Sequence, residues 1–165
     1  MATEAQDTNV RTITKLVPGA AVVAIAAILL LASMIGPTWM YSPAQPDTGT
    51  PAANLSFSDL ATATAESPSA LQAAYFGWLG WTLVILAVAV SVAALLLPRR
   101  LLSVAELLTG IIALVVTALS LKGPLSWSGF VAAVPTLRIG GYLIIIGLLV
   151  IIVHGAVSSY LSKTR

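Results

Sequence analysis

The sequence predicts an all-α integral-membrane protein: a four-transmembrane-helix bundle with a long outer loop and a short interfacial segment between the third and fourth helices. Three observations predict it. Of the 165 residues, 58% are hydrophobic and 8% charged, more apolar surface than a water-soluble core of this length can hide. Four apolar runs, at 16–36, 73–97, 101–121 and 139–160, each reach the roughly 20 residues that a helix needs to cross about 30 Å of hydrocarbon. Finally, lysine and arginine fall unevenly between the two sides that these runs define.

Taken in order, residues 1–15 form a polar tail, unstructured unless a partner holds it. Pro18 suits the first turn of the first span, because its missing N–H would be unpaired there, and Pro37 closes that span. At about 20 residues the run is longer than the roughly 7–15 residue core of a signal peptide, although "LASM" near its end resembles a cleavage site. The outer loop, 37–72, is rich in Pro, Ala, Ser and Thr and long for a connector, hence functional or disordered. Within it "NLSFSDLATATAE" suits either coil or a short surface helix with Phe57 and Leu60 pointing at the membrane, and Asn54-Leu55-Ser56 matches a glycosylation sequon. Residues 98–100, Pro-Arg-Arg, force the second and third spans into a tight antiparallel hairpin. Residues 122–138 have an apolar middle between Pro124 and Pro135 that is too short to cross, which reads as an interfacial or shallow re-entrant helix. A tail, 161–165, completes the chain.

Orientation follows from the basic residues. Arg11, Lys15, Arg99, Arg100, Lys163 and Arg165 share one side; only Lys122 and Arg138 fall on the other. Arg99 and Arg100 are thus topogenic, and both termini are expected in the cytoplasm; the resemblance given below implies a bacterial plasma membrane as the compartment. The net charge of +2 reflects this bias and gives no clustered basic face for nucleic acid. The outer side collects the aromatics Trp39, Tyr41, Tyr75, Trp78, Trp81 and Trp127, an interfacial belt or, alternatively, a ligand groove or partner contact.

Composition also limits chemistry. Cysteine is absent and histidine single, so thiolate metal sites, disulfides and bis-histidine haem ligation are beyond this chain. No nucleophile elbow, flanking carboxylate pair or phosphate-binding glycine loop stands out, so the chain is expected to be no enzyme by itself and to bind no cofactor alone.

Each span carries a stripe of small or polar residues, the kind of face that packs on other helices in lipid. In the third it is Ser103, Glu106, Gly110, Ala113, Thr117 and Ser120. The second gives Ala73, Gly77, Gly80, Ala87, Ser91 and Ala94, broken by Val84; the fourth gives Gly140, Gly147, His154 and Ser158; the first has Ala20, Ala24 and Ala27. Glu106 is the only carboxylate in the four runs. It and His154 each lie about six residues inside the same edge, roughly 9 Å deep. A carboxylate there costs at least about 2.5 kcal/mol without a partner or water, which predicts a Glu106–His154 hydrogen bond, with Ser103 or Arg100 as competing partners. Such a pair can fix helix register, meet a neighbouring subunit, or relay protons and grip a ligand carbonyl.

The Ala, Val and Thr bias, the "LLLPRR" turn and the four-span plan resemble the small accessory subunits around the actinobacterial respiratory supercomplex, in which a cytochrome bc complex joins cytochrome oxidase. The resemblance implies a noncatalytic accessory subunit that aids assembly or stability. Its partners would be the lipid bilayer and larger integral-membrane subunits, with haem, copper and menaquinone held by those subunits and lipid bound nearby. The rival expectation is a small free-standing transporter or ligand-binding membrane protein centred on Glu106 and His154.

Overall fold

The computed structural model describes residues 2–97 and 99–161, with side chains described from Gly19 onward except at Thr48. Pro98 and the basic Lys163 and Arg165 lie outside the described residues, as do the side chains of Arg11, Lys15 and Pro18.

Among the described residues, six α-helices and one hairpin make up the fold: α1 (Ala2–Ile35), β1 (Met40–Ser42), β2 (Ala53–Leu55), α2 (Phe57–Ala63), α3 (Ala70–Leu96), α4 (Arg100–Lys122), α5 (Trp127–Ala133) and α6 (Ile139–Leu161). Three of them, α3, α4 and α6, are long and apolar enough to cross a membrane, and the apolar part of α1, Gly19–Ile35, is shorter. This architecture is compatible with an all-α membrane protein. The four long helices pack as a ring in which α6 lies against α4 and α1, and α3 against the same two. The start of α1, the α3–α4 turn and the end of α6 therefore share one end of the bundle.

The N-terminal tail differs from expectation. It is helical from Ala2, continuous with the apolar half, and Pro18 lies inside this helix rather than at its start. Once the apolar half has nucleated, each added residue costs only propagation, and Pro18 removes a single backbone hydrogen bond.

Glycines set the interhelical distances. A Cβ on Gly155 of α6 would stand 2.8 Å from Leu107 N and 3.1 Å from Leu107 Cα of α4, so the two backbones touch there. One turn along, a Cβ on Gly110 would stand 2.8 Å from Ile152 Cγ1. Between α1 and α6 the arrangement is large into small: Leu30 fills the space over Gly147, where a Cβ would come within 2.8 Å of it. For this reason α1 turns Val23, Ala26, Leu30, Ser33 and Met34 inward and leaves Ala20 and Ala24 exposed, correcting the alanine face expected for the first span. The α4 stripe from Ser103 to Ser120 is buried at all six positions. On α3 the stripe holds from Gly80 to Ala94 but fails at Gly77, which is exposed. The reason is a π-type turn over Tyr75–Leu79. One extra residue in that turn rotates the outer end of α3, so that Tyr75 and Phe76 face inward instead.

The outer loop is folded. β1 pairs antiparallel with β2, Met40 opposite Leu55, and the intervening turn closes on Gly49, whose φ of 67° is costly for residues with a Cβ. In α2, Ser56 and Asp59 form a reciprocal capping box. Phe57 and Leu60 are buried, facing the protein interior instead of the membrane surface. Leu60 joins the hydrophobic core, and Phe57 joins Trp39, Tyr75, Phe76 and Trp81 in an aromatic cluster whose ring pairs are edge-to-face apart from the tilted Phe57–Phe76 pair.

Trp39 is the hub of this lid. Its indole Nε1–H donates to Ser33 O at 2.6 Å, at the end of α1. Its backbone N–H donates to Leu55 O at 2.7 Å, and its carbonyl accepts from Arg138 N at 2.9 Å. Its ring occupies the space that a side chain at Gly140 would need.

Two outcomes follow from this packing. Gly155→Ala drives a Cβ into the α4 backbone and is expected to cost about 1–3 kcal/mol, read as a lowered unfolding midpoint in micelles; Gly36→Ala, with nothing within 4 Å, serves as the neutral control. Separately, the hydrogen bonds from the Ser56 hydroxyl and backbone N–H hold the Asp59 carboxyl below its ordinary value of 3.8. A depressed folded value gives stability that is present above the ordinary aspartate range and is lost as pH falls through the folded value. Amide protection in α2 should therefore hold from neutral pH down to that range and fall below it, and Asp59→Asn should flatten the profile.

Candidate functional site

The end of the bundle that holds the α3–α4 turn contains the one acid of the four apolar runs. Glu106 is 0% exposed, on the α4 face that packs against α6. Its Oε1 lies 3.0 Å from His154 Nδ1 on α6. The contact exists because Gly155, the neighbour of His154, lets α6 approach α4: a Cβ there would also lie 3.2 Å from Ser103 O. Ser103 is buried on the same face, whereas Arg100 is exposed at the turn; among the described residues the carboxylate is bonded by the imidazole. Arg99 is likewise exposed beside the turn.

α1 and α3 close the layer. A Cβ on Gly19 of α1 would stand 3.3 Å from Leu95 Cδ1 of α3 and, at ordinary contact distance, 3.7 Å from His154 Nε2, so α1 packs closely on α3 here and lies beside the imidazole. Counted from the turn, Ser91 of α3 lies as many residues before Leu97 as Glu106 lies after Arg100. Ser91 Oγ and Glu106 Oε2 are both buried without a hydrogen-bond partner among the described residues. The layer can therefore take further hydrogen bonds, and unpaired buried acceptors of this kind are uncommon in folded proteins.

A second polar tie lies toward the outer end. The Thr117 hydroxyl donates to Ala113 O at 2.7 Å, so at 2.9 Å the Tyr75 hydroxyl donates to Thr117 Oγ1. Tyr75 and Trp39 are 1% and 0% exposed. Neither can serve as an interfacial belt or partner contact, which corrects the aromatic expectation: both are core residues of the lid, brought inward by the π-type turn and by the pull of Ser33 O. The remaining aromatics divide. Trp78 and Trp127 are exposed, Trp81 is half-buried in a T-shaped contact with Phe57, and Tyr41 is half-buried beneath the Arg138 guanidinium.

Gly155, Gly19 and Tyr75–Thr117 escaped the sequence reading. A signal for the first existed, a glycine directly beside the only histidine. For the others the register depends on the π-type turn and on α1 packing, which periodicity does not carry. Among the described residues no cluster of three or more metal-ligating side chains occurs. No family model, curated protein or solved structure matches the chain.

His154→Ala strands Glu106 in the layer and is expected to cost about 3–5 kcal/mol, with Glu106→Gln costing less because its amide still bonds the imidazole. The two effects should be non-additive by at least about 0.5 kcal/mol in a double-mutant cycle of unfolding in micelles; additivity would mean that the two side chains do not interact.

Proposed function

We propose that the chain is a noncatalytic accessory subunit of a larger integral-membrane complex, a four-span protein of the bacterial plasma membrane with both termini in the cytoplasm. The observation that carries this reading is the Glu106–His154 contact. The one acid inside the apolar helices is engaged within the chain, where it ties α4 to α6, a role of holding helices in register. In this reading α1 is the fourth span. Its apolar part is about 26 Å long at 1.5 Å per residue, and the adjacent Leu16 and Val17 extend it.

Docking to partners is supported by the remainder of α1. Its polar residues continue the helix from Ala2, and a short polar helix is marginal in water without something to pack on. The resemblance described above names the host, a respiratory electron-transfer supercomplex whose haem, copper and menaquinone reside in its larger subunits. A second reading, a free-standing transporter or ligand-binding protein, draws on an open groove of about 420 Å³ on the bundle surface, lined by Val22, Ile146, Leu149, Val153, His154 and Val157. There the imidazole is the one polar side chain in an aliphatic wall.

Purification of a tagged copy in mild detergent separates the two readings. Stoichiometric large subunits with haem absorbance are expected; a monodisperse small oligomer without partners would overturn the accessory reading.

A further inference from the structure

We propose that the segment joining α4 to α6 is a docking surface for anionic phospholipid headgroups in the outer leaflet. The inference rests on the membrane reading given above.

Trp127 and Val131 of α5, with Val134 just beyond it, follow one another at steps of four and three, which places them on one helix face. They are 63%, 66% and 37% exposed. The other side of α5, carrying Phe130 and Ala133, is half-buried, with Phe130 packed on the core cluster. The exposed face is thus held in a fixed orientation. It runs through the exposed Ile139 and Tyr142 into the outer wall of α6, and past Leu125 toward that of α4, the surfaces that the spans turn to hydrocarbon. An apolar face continuous with lipid-facing walls, and level with the ends of those walls, belongs at the bilayer boundary.

The charges of the segment select the headgroup. Residues 122–138 include Lys122 and Arg138 and no acid. Lys122 Nζ lies 5.3 Å from the centroid of the Trp127 ring, and Arg138 Cζ lies 5.0 Å from that of Tyr41. The aromatic faces hold the two cations at the rim of the apolar surface, as ammonium and guanidinium groups sit when their stems lie in the interface and their heads meet phosphate. At this depth the complementary charge is lipid phosphate. A cation near an anionic leaflet favours association by about five-fold, so two give a selectivity well above unity.

The chain has no cysteine, so single spin labels can be placed on the full-length protein in vesicles of phosphatidylcholine with or without phosphatidylglycerol. Labels at Val131→Cys, Ile146→Cys and Ala52→Cys report the α5 face, the α6 wall and the hairpin. The label at 131 is expected to meet oxygen more than the label at 52 and less than the label at 146. Spin-labelled phosphatidylglycerol is expected to be enriched over phosphatidylcholine around the protein by about five-fold or more, with K122Q/R138Q bringing the ratio toward one. A label at 131 as wet as that at 52 would overturn the proposal, and so would one shielded from both oxygen and aqueous relaxant, which would indicate a protein partner. Lipid selectivity that is absent, or unchanged in K122Q/R138Q, would also overturn it. A label at 146 in water would instead overturn the membrane reading itself.

Discussion

The backbone contact between α4 and α6 at Gly155 is the constraint from which the inner half of the protein follows. Two helices carrying ordinary side chains keep their axes about 8–10 Å apart; glycine removes the spacer, and Ser103 to Leu107 then lie against the α6 main chain. Only at that distance does the His154 imidazole reach Glu106 Oε1 without stretching either side chain from its own helix. The acid is thereby tolerated in an apolar layer, and in return it fixes the register of the two helices, since a slide of one turn would separate the partners by about 5.4 Å.

The outer half is governed by a different problem, the satisfaction of backbone groups where the helices end. α1 stops with carbonyls unpaired by its own ladder, and the Trp39 indole takes one of them, at Ser33. The same residue binds the hairpin through its N–H and the start of α6 through its carbonyl. A loop of this length can therefore be ordered without disulfides: its ordering is offset by five clustered rings and by main-chain bonds that converge on a single position.

Legibility in the sequence tracked periodicity. The α4 stripe, from Ser103 through Thr117 to Ser120, lies on a regular helix with no interruption, so steps of three and four identified its buried face, and equal depth paired Glu106 with His154. Gly77 was misplaced because one additional residue in the α3 turn shifts every position beyond it, and nothing in "YFGWLG" marks that turn. Trp39 and Tyr75 looked like surface aromatics because amphipathic rings near a span end serve both at interfaces and in lids, and only the three-dimensional path of the loop distinguishes the two. In α1 the abundance of alanine suggested a packing face, whereas the partner surface is already supplied with glycine by α6 and therefore receives Leu30. The helical course of the tail rests on nucleation by the segment that follows it, a cooperative effect absent from local composition.

The π-type turn in α3 also acts as a phase adjuster between two layers that must satisfy different neighbours. Below it, the helix buries Val84, Ala87 and Ser91 in the bundle; above it, Tyr75 and Phe76 serve the aromatic lid. Because the surplus residue decouples the two halves, substitutions that retune the inner contacts need not rotate the outer ones, and the lid and the bundle can drift independently as the sequence diverges. Loss of that one residue would do the opposite, swinging a phenol and a phenyl ring through about 100° toward the outside of the bundle while every inner contact stayed in place.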